Sequence, residues 1–466
     1  MERYRDVFFA AITALLLSSS IAGISSNVID DAHSYSSNDW GEVLGVLQDA
    51  VGGGTAPGLV AVVATGDDGV VFEQAFGNHT YTKDSPEISA KASLWDIASL
   101  SKVTATTTIA MKMYQDGYIN LEQKVVDIFG SGFSTKDPRK SKIEIRNLLL
   151  HNAGWPPDPT PNFWTPDFGC PETLSKPPKE RKLVFTCLSR GFQGVFDQRL
   201  QYSPGDQYLY SDLSMITLML VLGRTARIHQ LVSRESLDQQ CTAAVSPPTL
   251  DLAHPIDACY FAAYAKINVF EPLILLADSS VAFIGYRPSS EKKDRCVPTW
   301  NDTAGDAPAG GPPYRQRILQ GQVSDGNAFA LGGVSGHAGV FASAATLRAL
   351  ASELLKGKSE ALRLNKTTID LFTSIKNESQ SSRALGWDTN SYVANTYRGC
   401  GNFSSQTFTH TGYTGTQICV DPNGPRGGVV TVLLTNRVYP ACSDESERKI
   451  HALRQHFNNA VLSTLQ

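Results

Sequence analysis

Apolar residues recur at helical spacing from Trp40 to Val51 and stop at Gly52-Gly53-Gly54, so the pattern predicts a helix with a glycine stop. Two strand-like runs follow, Gly58 to Ala64 and Gly69 to Phe76. The turn Thr65-Gly66-Asp67-Asp68 between them makes a hairpin. Ser99 to Gly117 reads as a helix, with Ile109, Met113 and Tyr114 on its core side. Asn147 to Gly154 reads as a helix that ends at its glycine. From about 140 to 355 helices and long loops dominate. Residues 155–182, rich in proline and charge, read as an exposed excursion, and 227–320 as a second irregular region with the Pro/Gly/Ala loop Ala304 to Pro313. Strand signals return at Phe408 to Thr411, Thr416 to Val420 and Gly428 to Leu434, and Ser446 to Leu465 is a closing helix. Strands at both ends with helices between predict one sheet built from both termini and a helical lobe inserted into it. The sheet lobe takes about 39–98 and 385–466, and the helical lobe about 99–384 within a single domain, 39–466.

The first residues read differently. Val7 to Leu17 is an uncharged, mostly apolar run followed by small residues to Ser26. This suits a secretory signal, 1–26, cleaved between Ala22 and Ser26; uncleaved, it would act as a membrane anchor. Residues 27–38 are a polar linker. No other segment reads as long and apolar enough to span a bilayer.

Composition adds little to the fold but narrows the partners. Hydrophobic residues make up 42% and charged residues 18%, a globular balance. A net charge of −4 disfavours nucleic acid, which needs a basic surface. Eight cysteines, an even number, fit an oxidising compartment, with Cys170–Cys187 and Cys241–Cys259 as the expected local pairs. Five Asn-x-Ser/Thr sites, at Asn78, Asn301, Asn365, Asn377 and Asn402, permit N-glycosylation on a eukaryotic secretory route. No Cys-x-x-Cys or His-Glu-x-x-His pair occurs, so neither a catalytic metal nor a cofactor is expected.

The chemistry concentrates in three short motifs. Ser99-Leu100-Ser101-Lys102 sets a hydroxyl and an amine one helical turn apart. The lysine can serve as the base that serine needs, or hold neighbouring charges in place. The same spacing recurs at Ser289, Ser290 and Ser446 in charged, solvent-like segments, so context decides between the copies. Tyr210-Ser211-Asp212 follows the turn Ser203-Pro204-Gly205, and a phenol beside an ammonium can act as general base. His410-Thr411-Gly412 on a late strand offers a side-chain donor, a hydroxyl, and a glycine against which substrate can lie. His337, in Gly336-His337-Ala338-Gly339, is a rim candidate beside a packing role, and His151 near a helix end reads as structural.

Ser-x-x-Lys, Tyr-x-Asn and (Lys or His)-Thr-Gly, in this order, is the pattern of the serine β-lactamase and penicillin-binding-protein superfamily, which the chain resembles from about 40 to 463. The spacing and the tyrosine are similar to its class C branch, which also holds D,D-peptidases, D-aminopeptidases and esterases. Ile143 to His151, and Val323-Ser324-Asp325-Gly326-Asn327-Ala328 running into Gly332 to Gly339, resemble segments of related esterases and carboxypeptidase-like proteins. The resemblance implies an α/β (α+β) fold with an antiparallel sheet flanked by helices. It implies Ser99 as nucleophile, Lys102 as the group that eases its deprotonation, Tyr210 as proton shuttle, and the backbone N–H groups of Ser99 and Tyr413 as oxyanion hole. His410, Thr411 and Gly412 would border the substrate.

Two positions depart from the pattern. Asp212 stands where the family carries asparagine; it would pair with Lys102 but lacks the amide donor. His410 stands where β-lactamases carry lysine, and a neutral imidazole attracts a carboxylate less. The expectation is a secreted serine hydrolase of a small ester, amide or short peptide. A β-lactamase is the alternative within the fold, and a non-catalytic binding or assembly protein the alternative outside enzymology.

Overall fold

The computed structural model describes residues 40–168, 188–244, 255–302, 315, 317–391 and 397–466. The N-terminal segment 1–26, the linker 27–38, the loop Ala304 to Pro313 and residues 169–182 of the 155–182 excursion lie outside the described residues.

Strand Gly58–Thr65 owes its central place to an unbroken apolar run. Such a run has no polar face to turn to solvent, so both faces must be covered. It pairs antiparallel with Gly69–Gly77 on one side and Val429–Thr435 on the other. Gln417–Asp421, Phe408–Thr411 and the short edge Asp388–Thr389 complete a six-stranded antiparallel sheet. Period-2 alternation divides the strand between two cores. Leu59, Ala61 and Val63 join Val43 and Leu47 of helix Gly41–Gly52 and Leu453, Phe457 and Val461 of helix Asp444–Leu465. Val60, Val62 and Ala64 join the larger core that runs into the helical lobe. Each fully buried Val or Leu contributes about 1.5–3 kcal/mol relative to exposure. The closing helix begins at Asp444, two residues ahead of the expected start, because Ser443 and Ser446 form a reciprocal cap. That use of Ser446 separates its Ser-x-x-Lys spacing from the one at Ser99.

Three expectations are corrected. The run from Ser99 to Gly117 is not one α-helix: a 3₁₀ turn Ala98–Leu100 and a π-stretch Lys102–Thr107 precede the α-helix Thr108–Gln115. The helix at Asn147 is only Ile145–Leu149, since His151 takes φ 54° and Gly154 φ 93°. The third concerns 227–320. It holds a continuous 21-residue helical run, Ile256–Leu276, whose mean hydropathy of 1.3 makes it long and apolar enough for a membrane by length and composition. Half of it is buried in the protein. Its first turn packs on helix Asp212–Ile228 at Gly223, where a Cβ would meet the Asp257 carbonyl at 1.8 Å. Buried Asp257 there pairs with Arg224 (2.8 Å) and Arg227 (2.7 Å). Periodicity missed this helix because its apolar residues surround it. Removing a shared buried counter-charge is costly. Asp257→Ala should therefore lower unfolding stability by about 3–5 kcal/mol, read as a shift in the urea midpoint.

Cys241–Cys259 is bonded, and Cys400–Cys419 forms a second, unanticipated bridge. Cys170–Cys187 lies outside the described residues. Cys296 and Cys442 are free thiols. Among the glycosylation sequons, Asn365, Asn377 and Asn402 are exposed; Asn78 is half-buried and donates its amide to the Ser85 carbonyl, and Asn301 is half-buried.

Candidate active site

The turn that bears Ser99 follows a three-stranded sheet, Trp95–Asp96, Val340–Ala342 and Ile284–Tyr286. Just past its first strand, Ala98 takes φ 46°, a left-handed conformation that costs an L-residue about 1–3 kcal/mol. Buried Asp96 clamps it. One carboxylate oxygen accepts the Ala98 N–H (3.0 Å), and the other accepts the N–H and hydroxyl of Ser324 (2.7 and 2.9 Å). The bend turns half-buried Ser99 towards the cleft. The following π-stretch carries Lys102 beneath it, and Nζ donates to Ser99 Oγ at 2.9 Å.

Lys102 is wholly buried, yet its charge is well compensated. Nζ lies 2.8 Å from Asp212 Oδ1 and donates to the His337 carbonyl at 3.1 Å. It sits 4.8 Å from the centre of the Tyr210 ring and hydrogen-bonds the phenol. Burial pulls its pKa down, but the Asp212 carboxylate and then Tyr210 more than reverse this and hold it at about 12. Lys102 is therefore an ammonium at any working pH. Of the two roles open to it from sequence, the geometry favours the charge-holding one.

Tyr210 lies among rings and cations. The His151 ring lies against it at 4.6 Å, tilted by 30°, the Arg383 guanidinium is 5.1 Å from its ring centre, and His410 is 6.2 Å away. His151 Nδ1 lies 3.1 Å from both the N–H and the carbonyl of Ser211, and Nε2 has no hydrogen-bond partner. Burial, then the charges of Arg383 and Lys102, push its pKa well below 6.5. Arg383 in turn donates to the Tyr208 hydroxyl at 3.1 Å and pairs with Asp388 at 3.4 Å.

Asp212 opens helix Asp212–Ile228, where a carboxylate suits the helix dipole, and Ser211 caps that helix by accepting the Ser214 N–H. Its own N–H donates to the Pro157 carbonyl, which ties in the loop bearing Asp158. Burial, then the charges of Asp212 and Asp325, raise the Asp158 pKa to about 6.

The third motif sits on strand Phe408–Thr411. Gly412 is obligatory: a Cβ there would lie 2.1 Å from Thr416 Oγ1 and 2.5 Å from the Ile97 carbonyl. Thr414 and Thr416 donate to the carbonyls of Asp96 and Ile97 at 2.8 and 3.1 Å. These stitches fix the strand end against the Ser99 turn and bring Ser99 and Tyr413 to one cavity. His410 Nδ1 donates to the Thr411 carbonyl at 2.8 Å, which leaves Nε2 as a buried acceptor without a hydrogen-bond partner. Burial, then Arg383 and Lys102, push this ring well below 6.5 as well.

The cavity measures about 320 Å³ and is lined by Ser99, Tyr210, His410, Thr411, Gly412 and Tyr413 from the sequence motifs. It also takes in residues that no motif announced, notably Tyr208, Arg383, Arg437 and Arg454. Arg454, from the closing helix, is 4% exposed. It donates through Nη2 to the carbonyls of Gly412 and Thr416 at 3.0 Å each, and its Nε–H has no hydrogen-bond partner. Arg383 Nη1 is likewise without one. Burial lowers the Arg454 pKa to about 10, still charged at neutral pH. These arginines come from segments with no local chemical signature, so only the folded chain could place them.

A six-stranded antiparallel sheet, a helical lobe, and a Ser-x-x-Lys turn facing Tyr-x-Asp and His-Thr-Gly define a protein of the β-lactamase/transpeptidase fold. The chain belongs to the Beta-lactamase family, whose model matches residues 45–455. A protein of Escherichia coli (strain K12) named "Putative D-alanyl-D-alanine carboxypeptidase" is 26% identical over 389 residues, 81% of this chain and 78% of that protein. Two solved structures share the fold. A penicillin-binding protein homologue from Caulobacter crescentus has TM-score 0.60 at 14% identity, covering 93% of this chain and 99% of its own. A class C β-lactamase from Rhodobacter sphaeroides has TM-score 0.56 at 14% identity, covering 89% and 98%.

Proposed function

We propose that this protein hydrolyses a small amide or ester carrying a free carboxylate, through an acyl-enzyme on Ser99, in the manner of a serine carboxypeptidase. The observation that carries this reading is the cavity beside Ser99, where Arg383, Arg437 and Arg454 outnumber the acids Asp388 and Glu447 in the lining. A carboxylate is the group that a guanidinium-lined cavity receives best. The D-alanyl-D-alanine carboxypeptidase name of the relatives agrees with a substrate that ends in a carboxylate.

In this reading Ser99 Oγ attacks the scissile carbonyl carbon and the backbone N–H groups of Ser99 and Tyr413 receive the oxyanion. Tyr210, beside the Lys102 ammonium, relays the proton: its oxygen takes the serine proton as its own goes to the departing nitrogen or oxygen. Water then attacks the ester, with Tyr210 as its base. Neutral His410 offers a lone pair, so it accepts from a substrate N–H and attracts no carboxylate. That weighs against efficient β-lactam hydrolysis. Export to an oxidising compartment belongs to the same proposal, supported by the bridges Cys241–Cys259 and Cys400–Cys419.

The test pairs an N-acyl-D-Ala-D-Ala peptide with its C-terminal amide. The free acid should be cleaved with kcat/KM roughly 10–100-fold higher, the worth of a charge-assisted hydrogen bond. Equal rates would overturn the carboxylate anchor. No cleavage of either, with no fluorophosphonate adduct on Ser99, would overturn the hydrolase reading.

A further inference from the structure

Next to Lys102 lies a half-buried cluster of charges that the mechanism above leaves unused. His337 is 1% exposed, and both of its nitrogens are engaged: Nε2 with Asp325 at 3.0 Å and Nδ1 with the Ser335 hydroxyl at 2.7 Å. Side-chain ligand-type atoms of Asp212, Asp325 and His337 all lie within 4.8 Å of one another. Asp325 is anchored as the cap of helix Gly326–Ala330, accepting the Ala328 N–H at 2.7 Å. The loop that carries His337 is pressed onto the helix headed by Asp212, since a Cβ on Gly336 would meet the Met215 carbonyl at 2.2 Å. The Thr106 hydroxyl donates to the Gly336 carbonyl at 2.7 Å, and the Lys102 ammonium to the His337 carbonyl.

Read from the loop to the nucleophile, the charges alternate: Asp325 carboxylate, His337 imidazole, Asp212 carboxylate, Lys102 ammonium, Ser99 hydroxyl. The groups facing His337 are Asp325 from one helix N-terminus, Asp212 from another, Lys102, Asp158 and the Ser335 hydroxyl. Burial disfavours charge on His337, but Asp325 and then Asp212 outweigh it and raise its pKa. Two carboxylates this close cannot both stay ionised without a cation between them. An asparagine at 212 would need no such partner; the aspartate does.

We propose that His337 and Asp325 are positioning residues that hold the Asp212 carboxylate against the Lys102 ammonium, and so compensate for the acid in place of the amide. Without His337, the Asp212 and Asp325 carboxylates repel across the gap, and Asp212 moves off the Lys102 ammonium that it holds beneath Ser99. This role rests on the acyl-enzyme reading above.

A double-mutant cycle between His337→Asn and Asp212→Asn tests it, read as the second-order rate of fluorophosphonate labelling of Ser99. H337N should slow labelling roughly 10–100-fold when Asp212 is present, and less than about 3-fold in the D212N background, because the charge it serves is gone. Equal losses in both backgrounds, or no loss with Asp212 present, would overturn the positioning role. A merely structural histidine gives equal losses. If H337N does not fold, D325N is read in the same cycle by the same criterion. An unsubstituted protein that forms no Ser99 adduct would overturn the acyl-enzyme reading and this role with it. An adduct on Ser99 with an additive cycle overturns this role alone.

Discussion

Ser99→Ala is expected to abolish covalent labelling and to lower kcat/KM by at least about 10⁴-fold on whatever ester or amide proves to be turned over. The size follows from the chemistry. Without Oγ there is no acyl-enzyme, and what remains is binding and the oxyanion hole acting on water. The loss should come without loss of structure. Ser99 is only half-buried, and the strained turn that bears it is clamped through the Ala98 N–H and Ser324 rather than through the serine side chain. Lys102 keeps Asp212 and the His337 carbonyl. Intact-protein mass spectrometry with a fluorophosphonate, beside a thermal melt, reads both halves. A variant that still labels at one equivalent would place the nucleophile elsewhere.

Tyr210→Phe should be the next most damaging change, with kcat about 10²–10⁴-fold lower and KM little altered. The prediction turns on which residue is the base. With its pKa at about 12, Lys102 stays charged across the usable pH range and has no lone pair to offer. The phenol is then the remaining group within reach of both the lysine and the cavity. The phenylalanine ring keeps the contacts with His151 and Arg383, so packing is spared. The sign of the pH effect separates the two bases. If Lys102 were the working base in its neutral form, raising the pH from 7 to 10 would restore much of the lost rate. The Asp212 carboxylate, the largest upward influence on Lys102, stays in the variant, so the deficit should persist to pH 10. Recovery of rate towards high pH in Tyr210→Phe would return the base role to the lysine.

Much of the fold could be read along the chain because the relevant physics is local. The hairpin at 58–77 follows from two apolar runs and a glycine-aspartate turn, and the closing helix from amphipathic spacing and a serine cap. What was misread had a non-local cause. The segment from Ser99 departs from α-geometry because Asp96, fixed by Ser324 from more than two hundred residues away, forces Ala98 into a left-handed turn. The helix Ile256–Leu276 escaped notice because its apolar residues run all round it, on the half packed in the core against helix Asp212–Ile228 and on the exposed half alike.

The same division runs through the site. Sequence alone named Ser99, Lys102, Tyr210, Asp212 and His410, because each sits in a short motif whose residue types have few other uses together. It also set Asp212 against Lys102, where the two are found 2.8 Å apart. Tertiary structure decided the ionisation and the surroundings. A lysine that sequence left as base or ion-pair partner is fixed as an ammonium by one carboxylate and one phenol brought over from distant segments. His410 is neutral because burial among arginines outweighs its hydrogen bond to Thr411. Arg383, Arg454 and the Asp325–His337 pair reach the site from separate elements. Charge and desolvation act through space rather than along the chain, so those contributions exist only once the sheet and the helical lobe have closed on one another.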